Sequence, residues 1–269
     1  MRESLHQSLD RIAAMTLRYW YMLRGSWPRL LELVYWPAMS MVVWGFLQLY
    51  LSENKTTLAG AAGLLLGAVL LWDILFRGQL GFTFSFLEEI WSRNIANLMM
   101  SPLRPAELAA ALMVMSLVRL IIGTIPVTIL AALLFGFNIF GLGLGLIAFF
   151  ANLVLLGWAL GLFVSGVVLR NGLGAESLAY SMMIVLLPVS CVYYPVTVLP
   201  FWLQPVAWCL PTTYVFEGLR GILLEGAFRG DLMLECLALN LIYLGLGFTA
   251  FVLLLRSARH NGALLTMGE

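Results

Sequence analysis

The chain has 269 residues, 62% of them hydrophobic and 11% charged, with a formal net charge of +1. Soluble domains carry about 25% charged residues, so this composition excludes an ordinary soluble protein and predicts an all-α polytopic membrane protein. Its arginines are dispersed and Lys55 is the single lysine, so no basic patch for nucleic acid forms.

Residues 5–23 place Leu5, Leu9, Ile12, Tyr19 and Leu23 at helical spacing, with Arg11 and Arg18 one heptad apart on another face. This predicts an N-terminal amphipathic helix within residues 1–30, either lying in the bilayer interface or packed on the membrane domain. Arg2, Arg11, Arg18, Arg24 and Arg29 interrupt any long apolar core there, which argues against a cleavable signal. Pro28 and Pro37 bracket the start of the first span, and Trp27, Tyr35 and Trp36 suit an interfacial belt.

A crossing helix needs about 20 apolar residues for about 30 Å of hydrocarbon. Stretches 31–51, 58–77, 108–135, 142–169 and 232–255 satisfy this. A sixth, 177–195, is included because it is uncharged, although it contains Pro188. Residues 31–256 then form one transmembrane domain, with a short tail over 257–269. With the N-terminus in the cytoplasm, alternate threading leaves Lys55, Arg220 and Arg229 outside and the loop arginines, Arg119 apart, inside. The positive-inside rule thus places both termini in the cytoplasm. Small residues four apart, Gly63 with Gly67 and Gly157, Gly161 and Ser165, favour close helix packing.

Two ionisable residues fall at or inside the membrane, Asp73 and Arg119. A charge at the bilayer centre costs about 2.5–3.5 kcal/mol on insertion scales, so each should face protein or water. Asp73 has Arg77 one turn away as a local partner. Arg119 has no such neighbour, and three fates stay open: snorkelling, pairing with Asp73, or lining a polar path.

The longest cytoplasmic connection spans 78–108. Within it Phe86 to Met100 clusters Leu87, Ile90, Trp91, Ile95, Leu98 and Met99 on one helical side, with Glu88, Glu89 and Arg93 nearby. This predicts an amphipathic cytoplasmic helix that either docks a soluble partner or lies on the bilayer. The run "SPLRP" ends it, because a residue preceding proline avoids the helical region.

After the fifth span, residues 196–230 form an apolar excursion punctuated by Pro200, Pro205 and Pro211. Prolines suit first helical turns, with Thr212 or Thr213 available as a cap, so two short helices over about 200–209 and 213–225 are expected as a re-entrant or interfacial pair. The second carries Glu217 and Arg220 three residues apart, continued by Glu225 and Arg229, either a solvated outer face or a polar lining. Cys191, Cys209 and Cys236 are too scattered for a disulfide framework or metal site and suit apolar packing.

The stretch "YYPVTVLPFWLQPVAWCLPTTYVFEGLRGILLEG" resembles the signature region of ABC-2 type transporter permeases, through Tyr194 and Pro195, Leu199 and Pro200, Pro211 to Tyr214, and Glu217 with Arg220. The run "LEEIWSRNIANLMMSPLRPAEL" is similar to that family's cytoplasmic coupling segment. The resemblance implies the membrane subunit of an ATP-driven exporter in the bacterial inner membrane, built from two permease copies and two ABC ATPase subunits. Residues 88–100 would then couple to the ATPase and residues 200–225 would form the outer gate. Tyr194, Pro195, Pro200, Pro211, Tyr214, Glu217 and Arg220 would belong to the gate or path. The chain departs from many relatives in lacking a charged run before "LEEIW", and 78–86 are apolar, which blurs the end of span two.

ATP-binding loops need a lysine after a glycine-rich run, whereas Lys55 follows "SEN", so ATP and magnesium are expected on a separate subunit and no cofactor or metal on this chain. Rival readings fare worse. A gradient-driven transporter needs ionisable groups near the midplane, where only Arg119 comes close. A membrane enzyme lacks means, since His6 and His260 lie at opposite ends of the chain. Tyr193, Tyr194, Trp202, Trp208 and Tyr214 fit either sugar stacking or an interfacial belt, and the substrate stays open among polysaccharides, lipid-linked glycans, drugs, peptides and ions.

Overall fold

A computed structural model describes residues 2–53 and 63–260. The expected start of span two at 58–62, Lys55, the Leu5 side chain and the tail beyond His260 lie outside the described residues. Ten α-helices account for most of the described residues: α1 (Arg2–Arg24), α2 (Trp27–Glu53), α3 (Leu64–Trp91), α4 (Ile95–Met100), α5 (Pro105–Phe135), α6 (Leu144–Asn171), α7 (Leu178–Leu186), α8 (Gln204–Trp208), α9 (Pro211–Arg220) and α10 (Gly230–His260). Five of these, α2, α3, α5, α6 and α10, are long and apolar enough to cross a membrane. The chain is an all-α, multi-pass membrane protein.

Helix α6 sits at the centre, packed on α10 and α3, and glycines set how closely the three approach. A Cβ on Gly157 would lie 3.0 Å from the Gln79 amide nitrogen of α3, and one on Gly247 of α10 only 2.5 Å from the Ala159 carbonyl oxygen of α6. Small residues bring backbones together in this way where lipid provides no hydrophobic drive between helices. A buried amide pair adds polar glue: Asn240 Nδ2 donates to the side chain and backbone oxygens of Asn152 at 2.8 and 3.0 Å. One apolar cluster around Leu70, Phe149 and Phe216 fills one end of the bundle, and another around Tyr19, Phe82, Phe86 and Phe251 fills the end bearing Trp91.

Helix α1 packs its Tyr19 and Leu23, both fully buried, against the second cluster, while Leu9 and Leu17 remain 53% and 50% exposed. One face of α1 is therefore packed on the rest of the bundle. Gly25 and Ser26 separate α1 from α2, which begins one residue before Pro28 and continues through Pro37.

Three expectations are corrected. Span two does not end near residue 77, because its helix runs on to Trp91; residues 78–90 are largely buried against α5 and α6, and such packing favours helix whatever the loop expectation. The predicted helix over 86–100 is consequently two pieces, broken at Ser92–Asn94. There Arg93 adopts a left-handed φ of 55°, with its amide bonded to Ile90 O at 2.9 Å and the Asn94 amide to Glu89 O at 2.9 Å. That is a Schellman stop with arginine where glycine is usual. Finally, 177–195 is not one continuous spanning helix: α7 has nine residues within an apolar helical stretch of 173–189, and Pro188, lacking an amide hydrogen, interrupts the ladder beyond it.

The "SPLRP" segment behaves as the prolines dictate. Ser101 and Arg104, each preceding a proline, have extended ψ values of 158° and 149°. Pro105 then opens α5, whose Glu107 carboxylate turns back to accept the Arg104 amide at 3.0 Å. In the excursion, Pro211 opens α9 and Pro205 opens α8, whereas Pro200 begins a turn instead of a helix. The threonines do not cap α9: Thr213 Oγ1 donates to Ala207 O at 2.6 Å and Thr212 Oγ1 to Ser190 Oγ at 3.0 Å, tying α9 to the segments before it. Past Arg220 the chain makes a π-helical turn, Gly221–Glu225, closed by Gly226 at φ 67°.

Candidate functional site

Helices α2, α3, α5 and α7 line a partly open cavity of about 960 Å³. One wall is a stripe of α3 at helical spacing, Val69, Trp72, Asp73, Phe76, Arg77 and Leu80, continued by Phe84, Glu88 and Trp91. An aromatic series runs along this stripe toward one mouth. Ring centroids of Phe76 and Tyr180 are 6.4 Å apart, those of Tyr180 and Phe84 5.7 Å, and those of Phe84 and Trp91 6.2 Å. At the far end Trp44 stacks on Tyr193 at 4.8 Å.

The end of the bundle beside Trp91, which includes the mouth of the cavity, is highly charged. Glu88, 3% exposed, receives Arg119 Nη2 at 2.8 Å and Arg29 Nη1 at 3.0 Å, both on Oε1. Its Oε2 and the Arg119 Nε have no hydrogen-bond partner among the described residues. Glu89, fully buried, lies 2.8 Å from Arg18 Nη1 and accepts Asn94 Nδ2 at 2.8 Å. Glu107 accepts Arg11 through both oxygens, at 2.6 and 2.9 Å, and Ser8 Oγ at 2.7 Å. That contact raises the Arg11 pKa above its ordinary value, so the guanidinium stays charged at any physiological pH. Carboxylates at the C-terminal end of α3 face the negative pole of the helix, so arginines from α1, α2 and α5 are what makes their burial tolerable.

Arg119 therefore does not pair with Asp73. Asp73 bonds Arg77 within its own helix, as expected, and Arg77 also donates to the Leu33 carbonyl of α2. Glycine at 123 leaves room for that guanidinium, since a Cβ there would sit 2.4 Å from Arg77 Nη1. Sequence reading missed Glu88 as the partner of Arg119 because it put Glu88 in a cytoplasmic helix, remote from the membrane.

The segment expected to couple to a partner is divided by burial. Glu88, Glu89, Ile90 and Leu98 face inward, Ile90 and Leu98 being 1% and 7% exposed. Trp91, Ser92, Arg93, Asn97 and Met100 are exposed, so these, and not Ile90 and Leu98, form the accessible surface. Trp91 Nε1 also donates to Glu176 Oε2 at 3.3 Å, joining this surface to the start of the α7 segment.

At the opposite end, Glu217 and Arg220 form a largely buried clamp instead of a solvated face. Arg220 donates to Glu217 at 3.0 and 3.2 Å and to the Cys191 carbonyl at 2.9 Å, while Glu217 accepts the Val196 amide at 2.9 Å. The pair thus holds the 191–196 loop, where Cys191 has a strained φ of 53°. Tyr194 donates to the Pro188 carbonyl, and Tyr214 meets Trp208 edge-on at 5.0 Å. Pro195 and Pro200 are exposed, and Glu225 and Arg229 lie outside the clamp. All three cysteines are free.

A helical bundle with this apolar exterior and five helices long enough to cross a bilayer defines a multi-pass membrane protein. The chain belongs to the ABC-2 type transporter family, whose sequence model matches residues 12–224, from α1 through the π-helical turn after α9. It is thus a permease of the ABC-2 transporter type. No curated protein matches the chain.

Proposed function

We propose that this chain is the membrane subunit of an exporter whose power comes from a separate ABC ATPase, two copies of each subunit forming the complex. ATP and magnesium would reside on the ATPase. The observation that carries this reading is the continuity between an exposed, proline-stopped surface, Trp91 to Met100, and the charged mouth of the cavity, both held by the last turn of α3. A push on α4 is delivered to Glu88 and Glu89, and from them to the arginines of α1, α2 and α5. ATP-driven closure biases the permease between two arrangements in this way.

The Trp91 end would face the cytoplasm of a bacterium, with both termini on that side and α1 along the interface, its Leu9 and Leu17 toward lipid. A sixth crossing is supported by contacts along 176–193. Glu176 sits beside Trp91, Tyr180 beside Phe84 and Phe76, and Tyr193 beside Trp44 across the cavity from Trp72. From Trp72 to Trp91, α3 rises about 28 Å at 1.5 Å per residue, close to the hydrocarbon thickness. Helices α8 and α9 would then form the outer gate, with Glu217 and Arg220 setting the loop that closes it.

The test is purification from native membranes through a C-terminal tag, with mass spectrometry of what accompanies the chain. An ATP-binding subunit in equal amount is the expected result, and repeated recovery of the permease alone in several mild detergents overturns the reading.

A further inference from the structure

Helix α4 is uncharged, yet Arg93 precedes it and Arg104 follows it. Both are exposed, and neither forms an ion pair among the described residues. The carboxylates closest in sequence are engaged inside the bundle, Glu88 by Arg29 and Arg119, Glu89 by Arg18, and Glu107 by Arg11. Half-buried Glu176 accepts the Trp91 indole. Residues 92–104 hold no carboxylate, so the connection presents positive charge outward without an acid of its own. Arg93 carries a second mark: its φ of 55° occupies a helix stop where glycine is usual, so this side chain is held there against the backbone preference. The Arg93 amide closes the stop on Ile90 O, which any residue but proline could do. Its guanidinium holds no hydrogen bond or ion pair among the described residues, so the fold makes no use of the charge.

Ile95 and Leu98 turn the apolar side of α4 into the bundle, and Arg93, Asn97 and Met100 are exposed. A bilayer surface takes up an amphipathic helix along a continuous apolar face, which α4 does not offer outward. Arginine, amide and methionine beside an exposed tryptophan instead match a protein interface, where Arg, Met and Trp are enriched. We propose that Arg93, flanked by Trp91 and Met100, is the ion-pairing anchor of this surface, and that the ATP-binding subunit receives it with a carboxylate set in an apolar cleft. The inference rests on the reading of the chain as an exporter permease and adds the chemistry of the partner's docking surface. Arg104, on the other side of α4 in sequence, adds a field of the same sign, which steers an acidic face into register.

The test uses the full chain, tagged at its C-terminus and recovered from native membranes. Glycine suits a φ of 55° better than arginine, so Arg93→Gly removes the charge while keeping the stop, and its thermal midpoint should equal or exceed the original. The amount of ATP-binding subunit recovered per permease should nevertheless fall at least about tenfold, the factor that corresponds to about 1.4 kcal/mol. Arg93→Lys reads the partner's chemistry directly, because Lys55 is the only lysine of the chain. A water-soluble carbodiimide joins an amine to a carboxylate in contact with it and takes up the water lost. It should link position 93 to an aspartate or glutamate of the ATP-binding subunit, with no such link from the unmodified chain. Full recovery of the subunit by Arg93→Gly, or an intact Arg93→Lys complex that yields no such link, overturns the proposal. Those outcomes leave the permease reading standing while the unmodified chain keeps its partner, whereas absence of an ATP-binding subunit from the unmodified chain overturns both.

Discussion

Arg119, near the middle of α5, donates to Glu88 in the last turn of α3 at 2.8 Å, and both side chains are more than nine-tenths buried. The pair joins two spanning helices at the cavity mouth, and Arg29 at 3.0 Å brings in a third. Removing one member of a buried ion pair leaves the other uncompensated at a cost of about 3–5 kcal/mol, whereas replacing both is far milder. Arg119→Met should therefore lower the thermal midpoint in detergent markedly, and Arg119→Met with Glu88→Gln should restore much of the loss. A single variant as stable as the original would show that Arg29 alone satisfies Glu88.

The clamp at the other end offers a chemical readout. Cys191 is fully buried beneath the Arg220 and Glu217 contacts, and Cys209 is exposed. In a Cys209→Ser background, Arg220→Met or Glu217→Gln should convert Cys191 from inert to maleimide-reactive, because the loop loses hydrogen bonds to charged groups worth about 1.5–3 kcal/mol each. Transport should fall in parallel if the loop gates the path. Unchanged labelling in both variants would mean that packing of the loop, not the clamp, holds it.

Contact between α6 and α10 is set at Gly247. With the Ala159 carbonyl 2.5 Å from any added Cβ, the helices must separate to admit even alanine. Overpacking of this kind costs about 1–3 kcal/mol, so Gly247→Ala should lower the thermal midpoint and Gly247→Leu should prevent assembly of the bundle. Gly245, on the same helix with open space beside it, should accept alanine without loss.

Partner docking should follow exposure. Met100→Asp, at a side chain 79% exposed, should change stability by no more than about 0.5 kcal/mol, as surface substitutions do, while abolishing recovery of the ATP-binding subunit. Ile90→Asp should instead unfold the local packing, since it buries a charge among Phe86, Leu87 and Ile95. If Met100→Asp retains the partner at full yield, α4 is not the docking surface.

The sequence by itself determined what depends on local chemistry. Apolar length marked five spanning helices, the prolines at 102, 105, 205 and 211 fixed where segments stop and start, and one-turn spacing paired Asp73 with Arg77 and Glu217 with Arg220. Tertiary structure decided what depends on packing between distant segments. Residues 78–85 read as the start of a cytoplasmic connection and 86–90 as part of a separate cytoplasmic helix, yet burial against α5 and α6 keeps all of them in one helix and carries Glu88 and Glu89 into the bundle. The partner of Arg119 lies 31 residues earlier in the chain, and the contacts of Glu107 with Arg11 span 96. No periodicity reports such separations, because side-chain spacing along one helix carries no information about which other helix supplies the countercharge. The cavity belongs to the same class: its walls come from four helices, and only their mutual placement puts the aromatic rings, Asp73 and Glu88 around one space.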